Sequence, residues 1–281
     1  MIKIDKEIFF KKLITITGRL IIIIILILPV VLIVNSIPML SENSLITLLF
    51  SDWKPLEFNY GLRSFIFTSV ITALFSSIIA FILSSLTALY LYFYRERKIG
   101  KLLYGCIKIM SGIPTVVYGL AGILLIVPLI RNHTPSSSGL SLLSVIIVMS
   151  ILIIPTMTVY IINGLDLVQK DTVTAGLSLG ADELQLFRYV LLAEAKKYFG
   201  IAFILGFSRA VSDTMIALMI SGNSFRFPTS VFQSARNVTS HIALLIPGEF
   251  SGIEFKAVFL SSVILIFIVV VINYFVIRWE K

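Results

Sequence analysis

Residues 20–40 read LIIIIILILPVVLIVNSIPML, and no side chain in this run carries a charge. A helix of about 20 apolar residues crosses the roughly 30 Å of hydrocarbon in a bilayer. Five further apolar runs follow, at 64–91, 109–130, 140–162, 199–220 and 257–277. The sequence therefore predicts an all-α, polytopic membrane protein with six transmembrane helices.

The composition agrees with a bilayer environment. Of the 281 residues, 58% are hydrophobic and 14% are charged, and the mean hydropathy is +1.01. In soluble domains about a quarter of the residues are charged. The first run has the basic flank of a signal peptide, but it is too long and ends without a small-residue cleavage site. We therefore expect an N-terminal segment at 1–19 and one membrane domain at 20–281.

The distribution of Lys and Arg predicts the orientation. The N-terminus, the 95–108 and 163–198 connections and the C-terminus together hold sixteen basic residues, and the other connections hold six. Cytoplasmic connections carry the excess of basic residues, so we expect both termini in the cytoplasm. The net charge of +8 is divided among short segments between apolar runs. This pattern indicates contact with membrane lipid and argues against nucleic acid as a partner.

No pattern in the sequence predicts catalysis, a metal or a cofactor. Cys106 is the single cysteine, and His133 and His241 lie in different connections. A phosphate-binding loop of the form Gly-x-x-x-x-Gly-Lys-Ser/Thr is absent, because Gly100-Lys101 is followed by Leu102. We expect a non-enzymatic membrane subunit, with any ATP hydrolysis in a partner.

The connection between the fourth and fifth runs predicts a capped helix. Asp182 is followed three residues later by Gln185, as in a capping box. Beyond this start, an apolar stripe predicts an amphipathic helix at the membrane surface, formed by Leu184, Phe187, Val190 and Leu191. Such a face could rest on the protein's own spans or on lipid, or it could dock on a partner.

The same connection resembles the signature loop of bacterial ABC importer permeases, which is Glu-Ala-Ala, three residues, Gly, nine residues, Ile, one residue, Leu-Pro. Gly180 and Leu192 match this pattern in register, whereas Thr174, Gly176 and Ala193 replace Glu, Ala and Pro. In that family the loop forms a coupling helix on the ATPase. The resemblance implies a coupling loop at about 164–198 that contacts an ATPase dimer through Thr174, Ala175, Gly176, Gly180, Ala181, Asp182, Glu183 and Leu192. Gly180 would form a turn between two short helices.

Two further segments resemble phosphate importer permeases. Residues 112–120, GIPTVVYGL, are similar to their Pro-Ser-Val-Val-Tyr-Gly-Leu segment, and residues 207–215, FSRAVSDTM, are similar to the Gly-Arg-Ala-Leu-Gly-Glu-Thr-Met of the PstC type. With the DWKP match at 52–55, the resemblance extends from 52 to 223. It implies a type I ABC importer permease in a prokaryotic inner membrane, with a PstA-like second permease and an external phosphate-binding protein as partners.

The fifth run contains the residues that could line a substrate path. Arg209 and Asp213 are four residues apart, so on a continuous helix they would share a face and could pair. An arginine at the centre of a span costs roughly 2.5–3.5 kcal/mol, which indicates either function or a buried salt bridge that fixes packing. The guanidinium fork suits a phosphate oxyanion. Asp213 could accept a hydrogen bond from a protonated phosphate oxygen.

Hydroxyl groups beside this pair could add donors to the anion, namely those of Ser208, Ser212 and Thr214. Ser and Thr in membrane helices often bond to their own carbonyls instead. Sulfate or molybdate is the first alternative substrate. A secondary transporter is a second alternative, but its paired broken helices with midplane carboxylates are weakly indicated, because Asp213 is the only carboxylate in a predicted span. A membrane enzyme, the third, lacks an acid–base cluster.

Overall fold

The computed structural model of the protein describes residues 2–42, 44–134, 137–247 and 252–280. It is almost entirely helical, as predicted. The helices are α1 (Ile2–Glu42), α2 (Leu45–Phe50), α3 (Arg63–Tyr94), α4 (Lys98–Gly112), α5 (Thr115–Ala121), α6 (Val127–His133), α7 (Leu142–Asp166), α8 (Lys170–Ser178), α9 (Glu183–Leu186), α10 (Leu192–Ser212), α11 (Met215–Ile220), α12 (Val238–Leu245) and α13 (Ile253–Glu280). Strands β1 (Trp53–Lys54) and β2 (Asn59–Tyr60) pair antiparallel, with Trp53 opposite Tyr60.

Five helical segments in the described part of the chain are long and apolar enough to cross a membrane. They are Phe10–Ser41, Arg63–Tyr94, Thr115–His133, Leu142–Asp166 and Phe255–Val276. The third of these runs through α5, a π-helical turn at Gly122–Ile126, and α6. These five segments correspond to five of the six predicted runs.

The remaining run, 199–220, is not one continuous helix. Helix α10 ends at Ser212, and Asp213 adopts an extended backbone with ψ 127° before α11 begins at Met215. The Asp213 carboxylate accepts a hydrogen bond from the Ile216 backbone N–H at 2.9 Å. That bond supplies a partner for an N–H group that the start of a helix leaves unpaired. The prediction of an unbroken fifth span is therefore wrong, because Asp213 ends one helix and caps the next.

The 109–130 run is broken in the same way. Helix α4 ends at Gly112, and Ile113 and Pro114 are extended, with ψ 130° and 142°. Proline lacks a backbone N–H and disfavours the helical region for the residue before it. The first residues of this run therefore belong to α4, and the membrane-length helix starts only at Thr115.

Helices α3, α7 and α10 pack together at the centre of the bundle. The Ser76 hydroxyl donates to the Ile146 carbonyl at 3.1 Å, and the Ser84 hydroxyl donates to the Ile154 carbonyl at 3.0 Å. Both bonds join residues 70 positions apart, so α3 and α7 run parallel. The chain must return once between them, through α5 and α6. This arrangement agrees with the predicted alternation of spans.

The two ends of α3 mark the two ends of the bundle. Its 32 residues span about 48 Å at 1.5 Å per residue, and we refer to the Arg63 end and the Tyr94 end. At the Arg63 end, the buried His241 ring of α12 stacks on Phe65 at 4.0 Å and meets Trp53 edge-on at 4.5 Å. Burial, together with the nearby Arg236 guanidinium, lowers the pKa of His241 to about 3. The neutral ring thus joins the hairpin, α3 and α12.

Helix α1 lies at the edge of the bundle. It packs against α13, and only 6% of its most apolar window is buried. Between Leu13 and Leu40, most of its isoleucine and leucine side chains are more than half exposed. A helix that is apolar all round suits a lipid environment.

Candidate functional site

The two helix breaks lie in one apolar cluster. Met110 and Ile113, at the first break, pack against the buried cluster that contains Ala210 and Val211, which precede the second break. The Tyr118 hydroxyl donates to the Met110 carbonyl at 2.8 Å and so bridges the first break. Helices α5 and α11, which follow the two breaks, pack on each other. The structure therefore brings the 112–120 and 207–215 segments together.

Arg209 lies in the last turn of α10. Its side chain is half-buried and close enough to act electrostatically on Tyr118 and Asp213. A cation is favoured near a helix C-terminus, where unpaired carbonyl groups concentrate negative partial charge. The helix end itself therefore helps to hold the guanidinium among apolar neighbours.

Arg209 and Asp213 do not form the predicted pair on one helix face. Asp213 lies beyond the end of α10, and its carboxylate is directed to the Ile216 N–H. Its backbone carbonyl accepts a hydrogen bond from the Thr239 hydroxyl at 2.9 Å, which ties the break to α12. No ion pair joins the two side chains in the described structure. The four-residue spacing predicted pairing only because it assumed a continuous helix.

The three predicted hydroxyl donors have different surroundings. Ser212 is exposed, and its hydroxyl donates back to the carbonyls of Ser208 and Arg209 at 2.9 and 3.2 Å. Ser208 and Thr214 are half-buried. The back-bonding alternative thus describes Ser212, whose hydroxyl proton is committed to its own helix. Ser208 and Thr214 stay candidates beside the second break.

The broken helices also bear on the alternative of an ion-driven carrier. The hydropathy pattern did not indicate paired broken helices, but the structure contains two, at Ile113–Pro114 and at Asp213–Thr214. Asp213 is nevertheless the only carboxylate in the two broken runs, as the sequence analysis stated for the predicted spans. A discontinuous helix leaves backbone groups unpaired at its ends, which suits any site for a small ion, so the breaks do not separate the two classes of transporter.

At the Tyr94 end, residues 167–191 form a compact segment that includes α8 and α9. The predicted capping box is confirmed, since the Gln185 N–H donates to Asp182 at 2.7 Å and the Asp182 N–H donates to Gln185 at 3.0 Å. Gly180 has φ +82° and lies between the two helices. It makes the predicted turn in a backbone conformation that costs other residues more.

The predicted surface helix is not a separate element. Helix α9 has four residues and continues through a π-helical turn at Phe187–Leu191 into α10. Leu191 is fully buried, whereas Leu184 is 72% exposed. The predicted apolar stripe is thus divided between the core and the surface, because the π turn rotates the residues that follow it relative to α9.

The remaining residues expected to contact an ATPase lie around this turn. Thr174 and Ala175 are exposed on α8, Gly176 is half-buried, and Leu192 is exposed at the start of α10. The Glu183 carboxylate accepts a hydrogen bond from the Tyr94 hydroxyl, and Ala181 and Asp182 join it to the turn. Arg95 pairs with Asp166 at 3.0 Å. The first contact fixes the 167–191 segment to the end of α3, and the second joins the end of α3 to the end of α7.

Two leucines beside Gly180 were not among the predicted site residues. Leu177 is 54% exposed and Leu179 is 89% exposed. With Leu184 they give the end of the bundle an uncovered apolar surface, which we call the leucine tip. The available signal was the position of two large apolar residues within the three-residue gap before Gly180, where a solvent-exposed loop would favour polar side chains.

No group of three His, Cys, Asp or Glu side chains that could hold a metal ion occurs in the part of the chain that the structure describes. Cys106 is an exposed free thiol.

Comparison with known protein families identifies the family of this chain. Residues 80–281 match the binding-protein-dependent transport system inner membrane components, and this match covers well over half of the chain. The chain belongs to this family. Both helix breaks, the 167–191 segment and the leucine tip lie within the matched residues.

Similar permeases come from distant organisms. A probable ABC transporter permease protein, YqgH, of Bacillus subtilis (strain 168) is 32% identical over 195 residues, which are 69% of this chain and 63% of the Bacillus protein. A probable phosphate transport system permease protein, PstC, of Methanocaldococcus jannaschii is 25% identical over 272 residues, which are 88% of this chain and 86% of the relative.

The fold matches that of solved importer structures. A chain of the MetNI methionine ABC transporter in an inward-facing conformation superposes with a TM-score of 0.60 at 16% sequence identity, covering 80% of this permease and 96% of the MetNI chain. The permease therefore has the type I ABC importer fold, as the resemblance of the signature loop implied.

Proposed function

We propose that this permease is the PstC-type subunit of an ATP-driven, binding-protein-dependent importer of inorganic phosphate. The observation that carries the proposal is the meeting of residues 112–120 and 207–215. These two segments resemble phosphate permeases separately in the sequence, and they adjoin at the two helix breaks. The name of the archaeal PstC relative, which aligns with 88% of the chain, supports the same substrate.

Arg209 is the proposed anion-binding group. Its guanidinium presents a planar fork of donors that suits two oxygens of a tetrahedral oxyanion, and no carboxylate in the described structure pairs with it. Asp213 has a revised role, because its Oδ2 already accepts the Ile216 N–H. Its Oδ1 is left to accept a hydrogen bond from a protonated phosphate oxygen, which sulfate lacks at neutral pH. Ser208 and Thr214 supply hydroxyl donors beside this path.

The leucine tip is the proposed contact with the ATPase dimer. Exposed apolar patches bounded by polar residues commonly mark protein interfaces. Here the segment that carries the patch is joined to α3 by the hydrogen bond between Tyr94 and Glu183. Movement of the ATPase would therefore be transmitted to α3, and through α7 and α10 to the helix breaks. A second permease of the PstA type and a phosphate-binding protein complete the proposed transporter, with both termini of this chain on the ATPase side of the membrane.

Reconstitution with these partners in liposomes tests the proposal. Phosphate-loaded binding protein is expected to stimulate ATP hydrolysis and drive phosphate uptake. Arg209→Gln is expected to lower uptake by roughly 100-fold, the effect of losing a partly desolvated charge contact, while the assembled complex is retained. Arg131→Gln is the matched control, because the exposed Arg131 donates only to the Ser138 carbonyl among the residues that the structure describes.

The outcomes separate the parts of the proposal. Stimulation by sulfate or molybdate instead of phosphate would keep the importer and change its substrate. Equal uptake by the Arg209→Gln and Arg131→Gln variants would remove Arg209 from the path. Failure of any ATPase to associate would contradict the role of the leucine tip.

A further inference from the structure

A second polar site lies at the Arg63 end, in the loop between α11 and α12. It is a pocket of about 310 Å³ lined by Ser224, Arg226, Phe227, Thr229, Gln233 and Ser234. We refer to it as the Arg226 pocket. None of these residues belongs to the segments that resemble phosphate permeases, and the lining contains no carboxylate.

Two hydroxyl groups in the pocket, those of Ser224 and Ser234, act as hydrogen-bond acceptors. The Ser234 hydroxyl oxygen accepts from the Ser224 N–H at 3.1 Å, and the Ser224 hydroxyl oxygen accepts from the Arg226 N–H at 3.3 Å. No acceptor for the proton of either hydroxyl is found among the described residues. Each hydroxyl therefore has a proton to donate to a ligand.

Gln233 and Arg226 also have hydrogen-bond donors available to a ligand. The Gln233 amide oxygen accepts from both the N–H and the hydroxyl of Thr229, at 2.8 and 3.2 Å. These bonds orient the amide so that its NH₂ group keeps its donors. The exposed Arg226 guanidinium has no ion-pair partner in the described structure. Donors without acceptors, together with one positive charge, suit an oxyanion.

The loop backbone is held in place before any ligand binds. The Ser64 hydroxyl donates to the Arg226 carbonyl at 3.2 Å. Phe227 packs on Phe67 at 4.8 Å and lies under the Arg63 guanidinium at 4.9 Å. The Gln233 carbonyl accepts from the Leu142 N–H at 3.0 Å, which fixes the loop to α7. Such preorganisation lowers the entropy cost of binding.

The pocket is separated from the second helix break by the length of α11. Helix α11 has six residues and spans about 9 Å, with Asp213 before its first turn and Ser224 four residues after its last. The Asn223 side chain donates to the Leu218 carbonyl at 2.7 Å and closes this helix end. The pocket and Arg209 thus lie near opposite ends of one short helix.

We infer that the Arg226 pocket is a transient binding site for a tetrahedral oxyanion on the side of the membrane opposite the ATPases. The anion then passes along α11 to Arg209. The inference rests on the proposed function for its direction of transport. The binding itself requires neither ATP nor turnover, so it can be tested separately.

Protection of a cysteine in the pocket from a neutral thiol reagent measures this binding. Thr229→Cys in a Cys106→Ser background, purified with its transport partners in lipid nanodiscs without ATP, provides one thiol in the pocket. It keeps the backbone N–H that donates to the Gln233 amide oxygen at 2.8 Å. Bound inorganic phosphate is expected to slow the labelling about tenfold at ten times its dissociation constant, since only the free fraction reacts. Adding Arg226→Gln is expected to abolish the protection.

Lys54→Gln provides the matched loss of one positive charge at the same end of the bundle, because Lys54 is exposed and pairs with Glu57 at 3.1 Å. It is expected to leave the protection unchanged. Equal loss of protection in the Lys54→Gln and Arg226→Gln variants would overturn the inference in favour of a general surface potential. Protection by phosphate that survives Arg226→Gln would overturn it as well.

The source of the anion and the dependence on the proposed function can also be separated. Labelling that is slow without phosphate, does not respond to phosphate, and becomes fast in lipid-free detergent would assign the pocket to a lipid headgroup and overturn the inference. Phosphate uptake without protection would overturn the transient binding site and leave the proposed function in place. Protection by phosphate in a complex that transports no phosphate would support the site and contradict the proposed function.

Discussion

The two ends of α3 hold surfaces of opposite chemistry. At the Tyr94 end, the 167–191 segment exposes Leu177, Leu179 and Leu184. At the Arg63 end, the loop between α11 and α12 exposes Arg226 and the polar lining of its pocket. Both segments are fixed to the same helix by hydrogen bonds. The comparison shows how one rigid helix can present an apolar surface for a protein partner and a polar surface for an ion about 48 Å apart.

Glycine substitutions are expected to produce the largest difference in stability between the two ends. Gly222 and Gly180 both have positive φ, +76° and +82°. A Cβ atom at Gly222 would lie 2.3 Å from the Ser234 hydroxyl oxygen, whereas nothing lies within 4 Å of one at Gly180. Gly222→Ala should destabilise its loop by roughly 3 kcal/mol, from backbone strain and steric overlap together, and Gly180→Ala by only about 1 kcal/mol.

Thermal unfolding and amide hydrogen exchange of the purified permease check this prediction. Faster exchange is expected at 221–235 in the first variant and at 176–182 in the second. Equal destabilisation by the two substitutions would show that the Gly222 loop relaxes around the added methyl group, and that the Arg226 pocket is less rigid than its contacts indicate.

Exposed leucines at the two ends provide the next test. Leu179 is 89% exposed beside Gly180, and Leu56 is 97% exposed in the 3₁₀ turn Pro55–Glu57 beside the hairpin. Neither side chain contributes much to folding, so Leu179→Asp and Leu56→Asp should both leave stability unchanged. If the leucine tip binds the ATPase, Leu179→Asp alone should weaken that association by about 30-fold, as at a typical hot spot.

Titration of the reconstituted permease with its ATPase measures this difference. A similar loss of affinity in the Leu56→Asp variant would indicate a nonspecific effect of charge. Unchanged affinity in both variants would place the ATPase contact elsewhere in the 167–191 segment.

The smallest effects should come from the hydrogen bonds that hold each segment to α3. Ser64 is fully buried, so Ser64→Ala should loosen the 224–234 loop by about 1 kcal/mol, or roughly fivefold in local hydrogen exchange. Tyr94 makes its bond to Glu183 in a solvent-exposed setting, where water competes for both groups. Tyr94→Phe should therefore change exchange at 170–186 by less than about threefold.

Exchange measured by mass spectrometry compares the two segments in one experiment. A larger effect of Tyr94→Phe than of Ser64→Ala would mean that the Tyr94 bond is the principal attachment of the 167–191 segment. Such a result would assign that bond a direct part in transmitting movement from the leucine tip.

Local patterns in the sequence predicted several features correctly. The capping box at Asp182 and the turn at Gly180 were both visible, because capping and positive φ depend on residues within one or two turns of each other. The apolar runs identified the membrane helices for a similar reason, since hydrocarbon thickness alone sets their length. The 109–130 and 199–220 runs were predicted as unbroken helices, because hydropathy does not report where Pro114 and Asp213 interrupt the backbone.

By itself, the sequence determined that this chain is a helical membrane protein of the importer permease type, because burial in lipid requires long apolar runs and the signature loop has a fixed spacing. The tertiary structure decided what the charged residues can do. Asp213 caps α11 instead of pairing with Arg209, and the Arg226 pocket draws together residues from a loop without a recognisable motif. The hydrogen bonds of Asp213 and of the pocket are local, but the backbone that carries them is held by Thr239, Ser64 and Leu142, which are distant in the sequence.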